Sequence, residues 1–258
     1  MRVDVLTSGI WQTTTTILSA DGVCVVVDPA YFPRELDAIR ARVAELGTAA
    51  AVVFTHGHWD HVIGHHALPG APVWLSAALD AAITAGDPRA SRYLADAAEF
   101  DSKWYVPRPA PHAWPTERRP LADGAVLAAG PLALTALHLP GHSPDGLGLL
   151  ADDVLLVGDH LSPCEIPFVD DHTAYRATLV RLCGVLDGVR EVIPGHGPRL
   201  TAAEARAIAA ADLAYLDELA ERIAGGDLAG ARDMALPRAA AVVGMRDAHL
   251  ANVAKLTP

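Results

Sequence analysis

Short apolar runs of strand length open the chain and are followed by a longer amphipathic segment. The alternating, β-branched or continuous apolar patterns that are typical of strands occur at residues 2–6, 13–18 and 23–27. An apolar stripe at helical spacing predicts a helix from Arg34 to Leu46, which Gly47 ends. The run 50–54 then predicts a buried strand, so strands and helices already alternate in the first fifty residues.

The same pattern continues to the end of the chain, with one irregular stretch. A strand is predicted at 72–75 and helical structure over 77–98, interrupted near Gly86. Five prolines between Phe100 and Pro120 predict no regular structure there. Beyond it we expect strands at 125–128, 132–139, 147–150, 154–157 and 189–193, and helices at 173–186 and 201–223. Strands followed by a helix, twice over, indicate an α/β protein with two similar halves and sheets covered by helices.

Polar chemistry is concentrated directly after the strand at 50–54. Residues 55–61 read Thr-His-Gly-His-Trp-Asp-His, three imidazoles and a carboxylate within six positions. For this composition, a chance His-x-His-x-Asp-His has odds on the order of 0.002. Imidazole nitrogens and carboxylate oxygens suit Zn, Fe or Mn better than Ca or Mg. The motif therefore predicts a metal site.

Three further residues downstream share the setting of this motif. His142, Asp159 and His196 each follow an apolar run, and each is preceded by a glycine, which lets the backbone approach a crowded site. A single Gly-His after a strand is more often a turn, and His138 is interpreted that way. In this order after the first motif, the three residues are poorly explained by chance.

The ordered set resembles the metallo-β-lactamase superfamily, whose pattern is His-x-His-x-Asp-His followed by His, Asp and His. Asp28 also matches the acid commonly found at the strand end before the first motif. The resemblance covers about residues 1–200 and implies a four-layer αβ/βα sandwich. We expect a single domain over 1–258, with its core at about 1–200 and a helical C-terminal segment over 201–258.

The resemblance also implies two divalent metal ions, with zinc expected and iron or manganese as alternatives. One ion takes His56, His58 and His142, the second takes Asp60, His61 and His196, and Asp159 bridges both. Four positive charges, less two carboxylates and a bridging hydroxide, leave about +1, which favours an anionic substrate. The two catalytic acids are then Asp159 and Asp60, which orients the nucleophile or passes its proton to the leaving group.

Within this superfamily the chain resembles the thioesterase, lactonase and glyoxalase II-like branches more than true β-lactamases. Subclass B1 β-lactamases carry Cys where this chain has Asp159, and no basic glutathione-binding extension follows His196. We therefore expect a hydrolase that uses a metal-bridging hydroxide to cleave an ester, thioester or lactone. The alternatives are a mononuclear iron oxidoreductase of the persulfide dioxygenase type and a polyketide-type cyclase or thioesterase.

Residues around the metal motifs are candidates for a substrate pocket. The set comprises Trp59, Trp104, Arg108, His160, Phe168 and His172. Arg108 or Arg118 could bind an anionic group, and Trp59 is a candidate because it lies inside the first motif. Each candidate has a competing structural interpretation. The Trp59 ring could pack on a neighbouring helix, the 104–114 segment could be a solvated loop, and His160 and His172 could be hydrogen-bonded structural histidines.

Composition narrows the setting in which this enzyme would act. The 258 residues carry a net charge of −11, and Arg118-Arg119 is the nearest approach to a basic cluster, so we expect no nucleic-acid binding. No apolar stretch has the length of a membrane span, and no secretory signal is recognised at the N-terminus. Three widely spaced cysteines argue against a disulfide framework. We expect a cytoplasmic enzyme that acts on a small molecule. The sequence does not predict the oligomeric state.

Overall fold

The computed structural model describes residues 1–238 and 242–257, which contain strands and helices in alternation. The strands are β1 Arg2–Thr7, β2 Thr14–Ala20, β3 Val23–Val27, β4 Thr48–Val53, β5 Val73–Ser76, β6 Arg118–Leu121, β7 Val126–Ala129, β8 Leu132–His138, β9 Leu147–Ala151, β10 Val154–Leu156, β11 Glu191–Ile193 and β12 Leu200–Thr201. The α-helices are α1 Pro33–Leu46, α2 Trp59–Val62, α3 Ala77–Ala85, α4 Pro88–Trp104, α5 His172–Val185, α6 Ala202–Ala224, α7 Leu228–Asp233 and α8 Met245–Leu256. Short 3-10 turns lie at Ile63–Ala67 and Leu186–Gly188.

Two mixed β-sheets flanked by helices confirm the predicted α/β sandwich class. The chain divides into two compact units. Unit 1 comprises Met1–His138 and Asp145–Asp152, and unit 2 comprises Leu139–Pro144 and Asp153–Pro258. The expectation of one domain over the whole chain stays a prediction.

In unit 1, the first sheet has the strand order β1-β2-β3-β4-β5-β6. The first three strands pair antiparallel, whereas β3, β4, β5 and β6 pair parallel. Helix α1 covers this sheet with the predicted stripe, since Leu36, Ile39 and Val43 are buried in the same hydrophobic cluster as Val26 and Val52. Because β3 and β4 run parallel, the residues that follow them meet at one edge of the sheet, where polar side chains are collected.

The strands β7, β8 and β9 of unit 1 form an antiparallel meander. In unit 2, β10 and β11 pair parallel, and β12 returns antiparallel to β11. The parallel pair brings the residues after Leu156 and after Ile193 to the same edge. Two of the predicted metal ligands, Asp159 and His196, lie in these segments.

The stretch from Phe100 to Pro120 is more regular than predicted. Helix α4 continues to Trp104 because its buried face, which includes Tyr93, Ala97 and Asp101, extends past Phe100. Strand β6 contains Pro120 but lies at the end of the strand order, where a missing N–H leaves no ladder bond unmade. The prediction of no regular structure over this stretch was therefore wrong at both of its ends.

The described part of the predicted C-terminal helical segment contains the three helices α6, α7 and α8, which are joined by non-helical stretches. Residues 239–241 and 258 of that prediction lie outside the described residues. Helix α6 begins at a capping box in which the Thr201 hydroxyl accepts a hydrogen bond from the Glu204 N–H and the Glu204 carboxylate accepts from the Thr201 N–H. Among the residues the structure describes, no helix combines the length and the hydropathy needed to cross a lipid bilayer.

Candidate metal centre

The first motif of unit 1 occupies the loop after β4 and the first turn of α2, which begins at Trp59. The imidazole ring of His56 lies 4.6 Å from that of His58 and 4.4 Å from that of His61, centroid to centroid. The Asp60 Oδ2 atom is 3.4 Å from His61 Nε2. Four predicted ligands are thus brought together within one unit, as their spacing implied.

Asp28, which follows β3, organises this motif through three hydrogen bonds. Its carboxylate accepts from the Thr55 N–H at 2.8 Å, from the Thr55 hydroxyl at 2.6 Å and from His61 Nδ1 at 3.0 Å. An ionised carboxylate only accepts, so His61 carries its proton on Nδ1 and presents the lone pair of Nε2. The Thr55 hydroxyl, having donated to Asp28, accepts from His56 Nδ1 at 3.1 Å. One carboxylate therefore sets the tautomer of two imidazoles.

Two further contacts hold the motif, and sequence reasoning missed both. The Thr13 hydroxyl, on the segment entering β2, donates to Asp60 Oδ2 at 3.0 Å. The Gly57 N–H donates to Asp145 Oδ2 at 2.7 Å, and Asp145 is buried. A Cβ atom on Gly57 would lie 2.5 Å from the Tyr93 ring, so only glycine fits. The Pro-Asp-Gly sequence around Asp145 indicates a turn, and nothing in it indicates a contact with a distant motif.

The remaining predicted ligands lie together in unit 2. The Asp159 Oδ2 atom is 3.2 Å from His142 Nε2 and 3.3 Å from His196 Nε2, and all three side chains are less than 8 % exposed. Two of the glycines that precede them, Gly141 and Gly195, are needed for close approach. A Cβ atom on Gly195 would lie 2.2 Å from Asp159 Oδ1, and one on Gly141 would lie 2.2 Å from the Cα atom of an α5 residue.

A second carboxylate, that of Glu165, lies beside the cluster of unit 2. Its Oε2 atom lies 3.9 Å from His196 Nε2, and its side chain is 8 % exposed. Asp159, Glu165 and His196 have donor atoms that all lie within 4.8 Å of one another. The sequence offers no periodic or spacing signal for this residue, which lies between the pocket candidates His160 and Phe168.

The donor chemistry of both clusters fits divalent transition metals. Buried imidazoles and carboxylates with mutual spacings of 3.2–3.4 Å are found in each unit. Ligands about 2.0–2.2 Å from one tetrahedral cation lie roughly 3.4 Å apart. In the tautomers set for His56 and His61, the proton is on Nδ1 and the lone pair is on Nε2, the atom that would bind a metal ion.

The pocket candidates of unit 1 divide into aromatic and charged residues. The Trp59 ring lies 5.1 Å from Trp11, 5.1 Å from Tyr31 and 4.8 Å from Phe100, and Trp104 is 61 % exposed. Trp59 therefore packs on its neighbours, including helix α4, while it also adjoins an exposed aromatic surface.

Arg108 lies in a different setting from the one expected. Its guanidinium donates to the Asp101 carboxylate at 2.7 and 3.1 Å and to the Tyr31 carbonyl at 2.6 Å, and only 7 % of the side chain is exposed. His112 and the Tyr31 hydroxyl, both at 2.7 Å, also bind Asp101. Burial would raise the pKa of Asp101, but the hydrogen bonds from Arg108 and Tyr31 outweigh burial and lower it. Arg108 thus anchors the proline-rich loop instead of being exposed to bind an anion.

In unit 2, the pocket candidates surround His142. The Phe168 ring lies 6.3 Å and the His160 ring 6.5 Å from the His142 ring, and Phe168 is partly exposed. His160 is buried and its ring is 4.7 Å from that of Tyr175. His172 Nε2 lies 3.0 Å from the Leu216 carbonyl oxygen of α6, which fits the structural interpretation of that histidine.

Comparison with known proteins identifies a family and agrees with this architecture. A family model described as the metallo-beta-lactamase superfamily matches residues 8–213. Among solved structures, TTHA1623 in a di-iron-bound form is 28 % identical with a TM-score of 0.58, and the match covers 78 % of this chain and 96 % of that one. The BLEG-1 B3 metallo-beta-lactamase is 25 % identical with a TM-score of 0.57, covering 79 % and 95 %.

A metallo-beta-lactamase family protein from Thermus thermophilus, TTHA1429, reaches a TM-score of 0.67 at 21 % identity, covering 98 % of this chain and 93 % of that one. At that identity the likeness shows the fold alone. Among curated proteins, none matches the sequence.

Proposed function

Since the chain belongs to the metallo-β-lactamase superfamily, whose members are mostly hydrolytic metalloenzymes, we propose that it is a metal-dependent hydrolase of esters, thioesters or lactones. The observation that carries the proposal is the intact donor set. Each of the seven positions in the family pattern holds a ligand, and the three or four ligands within each unit are already grouped. A binding module with a degenerate site would be expected to lack some of them.

In this proposal the seven candidate ligands would hold two divalent ions. As the family pattern implies, His56, His58 and His142 would bind one ion, Asp60, His61 and His196 would bind the other, and both ions would share Asp159. When bound, the ions would lower the pKa of a water molecule and polarise the carbonyl oxygen of the substrate. Zinc is the proposed metal, and the di-iron form of TTHA1623 supports iron as the alternative.

The protein residues contribute positioning and proton transfer. The Thr13 hydroxyl lies 3.0 Å from Asp60 Oδ2 and helps to orient this carboxylate, which would accept or pass a proton. No protein nucleophile is needed. Burial raises the pKa of the Cys164 thiol, which keeps it protonated at neutral pH and argues against nucleophilic catalysis by this cysteine.

The proposed substrate carries an apolar acyl group, which binds in an aromatic groove of unit 1. The groove has a volume of about 530 Å³, within the range of small-molecule sites, and is lined by Gly9, Ile10, Trp11, Phe32, Pro33, Phe100, Trp104, Tyr105, Val106 and Pro107. It adjoins the metal motif in two ways. Two lining rings, Trp11 and Phe100, contact Trp59, which lies between ligands His58 and Asp60, and Trp11 is two residues from Thr13.

The acyl preference is tested by comparing octanoyl and acetyl thioesters in the wild type and in Trp11→Ala. Loss of part of the groove should raise KM for the octanoyl substrate by about tenfold, from roughly 1.5 kcal/mol of apolar burial. The acetyl substrate is an internal control and should change less than about twofold, because it reaches little of the groove. Equal effects on the two substrates would remove the groove from the acyl-binding site.

The reaction class is tested by metal analysis of the purified enzyme together with a substrate panel. We expect two equivalents of metal and chelator-sensitive hydrolysis of an ester, thioester or lactone. One equivalent of iron with oxygen consumption and no hydrolysis would replace the proposal by the oxidoreductase alternative.

The three thiols, Cys24, Cys164 and Cys183, form no disulfide, which supports a reducing compartment such as the cytoplasm as the proposed location.

A further inference from the structure

Glu165 is placed beside two proposed metal ligands by a loop that is fixed at both of its backbone polar groups. The Glu165 N–H donates to the Ser162 hydroxyl at 3.1 Å, and the Glu165 carbonyl accepts from Arg238 Nε at 2.8 Å. A second nitrogen of Arg238 binds the carboxylate of Asp212. The position of the Glu165 side chain is thus supported by α6 and by the loop after β10.

The spacing between the Glu165 carboxylate and His196 is compatible with two ligands of one cation. Glu165 Oε2 is 3.9 Å from His196 Nε2, beyond the roughly 2.7–3.2 Å of a nitrogen–oxygen hydrogen bond. Two donors that share a cation at about 2.0–2.2 Å lie up to roughly 4.4 Å apart, and near 3.4 Å for a tetrahedral angle. The 3.9 Å spacing to Glu165 and the 3.3 Å spacing between Asp159 and His196 both satisfy this limit.

We propose that Glu165 is an additional metal ligand, outside the seven-residue family pattern, on the ion that Asp159 and His196 bind. The inference rests on the metal centre of the proposed function. A third carboxylate would lower the net charge of the centre by one, which reduces its preference for anionic substrates. It would also make the donor set richer in oxygen, which favours manganese or iron relative to zinc.

The test is a metal-binding titration of the metal-free protein. Zn²⁺ and Mn²⁺ are titrated in competition with a chromophoric chelator, for the wild type, Glu165→Gln and the control Glu218→Gln. Glu218 lies on α6 of the same unit in an exposed ion pair with Arg222. We expect Glu165→Gln to weaken one of two sites at least about tenfold, more for Mn²⁺ than for Zn²⁺, and the control to bind as the wild type does. Affinities within about twofold of the wild type at both sites would overturn the proposal.

A second measurement does not depend on the variant folding. Anomalous diffraction from crystals of the wild type loaded with Mn²⁺ or Zn²⁺ locates the ions directly. A Glu165 oxygen within about 2.6 Å of an ion supports the proposal, and a distance beyond about 3.5 Å overturns it. If the wild type holds two ions and Glu165 is distant, this inference alone fails. If the wild type binds neither ion, the proposed function fails as well.

Discussion

Replacing Asp28 by Asn should weaken metal binding although Asp28 is not itself a proposed ligand. The carboxylate accepts from the Thr55 hydroxyl and from His61 Nδ1, and Thr55 in turn accepts from His56 Nδ1. The amide group of Asn has a donor where one carboxylate oxygen was. With that donor at the Oδ2 position, His61 Nδ1 must accept and the Thr55 hydroxyl must donate to His56. Both imidazoles then carry a proton on Nε2, the atom that would ligate.

The magnitude follows from the contacts. Loss of a contact that orients a metal-binding histidine typically costs about 10- to 100-fold in metal affinity, which is about 1.4–2.7 kcal/mol for each ion. Because His56 and His61 are proposed to bind different ions, both should weaken in Asp28→Asn. Thr55→Val removes the link to His56 and keeps the bond between Asp28 and His61. It should therefore weaken one ion only.

Metal dissociation constants from chelator competition measure the effect, and ¹⁵N NMR of the metal-free protein reports which ring nitrogen of each histidine is protonated. Asp101→Asn is the matched control, since Asp101 is also buried in unit 1 and accepts hydrogen bonds from Tyr31 and Arg108 but contacts no ligand. It should lower the free energy of unfolding and leave metal affinity unchanged. Unchanged affinity in Asp28→Asn, with both histidines still protonated on Nδ1, would refute the tautomer argument.

Three further predictions concern stability and the second cluster. Because its pKa is lowered in the folded protein, the ionised form of Asp101 stabilises the fold. This contribution is present above the usual aspartate pKa of about 3.9 and is lost as the pH falls through the lower pKa of the folded state. The free energy of unfolding in urea should therefore decline less steeply with falling pH in Asp101→Asn than in the wild type, and parallel curves would contradict this. Gly195→Ala should reduce the affinity for metal at least about tenfold, because the added Cβ atom would lie 2.2 Å from Asp159 Oδ1. In the control Gly184→Ala, on α5, the added Cβ atom meets nothing within 4 Å, so this variant should bind metal as the wild type does. Equal metal titrations of the two variants would argue against crowding at Gly195. Removing metal with a chelator should lower the melting temperature, since metal at about 100 times its Kd increases the free energy of unfolding by about 2.7 kcal/mol. A melting temperature that does not respond to metal would count against the proposed metal centre.

The order of most strands and helices, and the strand ends at which the candidate ligands lie, could be predicted from the sequence because both depend on local pattern. Apolar runs mark β3, β4, β10 and β11, and the ligands follow closely after three of them. The prediction ended helix α4 too early and omitted strand β6, because proline is a strong local signal against regular structure. A buried helix face and an edge position in the sheet override that signal.

The sequence by itself determined the fold class, the candidate ligands and the glycines beside them, since each follows from a pattern in adjacent residues. Only the tertiary structure decided what reaches those ligands from far along the chain. Thr13 binds Asp60 from 47 residues away, Asp145 binds the Gly57 N–H across 88 residues, and Arg108 is held by Asp101 in place of an anionic ligand. Local periodicity carries no information about such contacts, because they depend on which strand ends and loops the folded chain brings within hydrogen-bond distance.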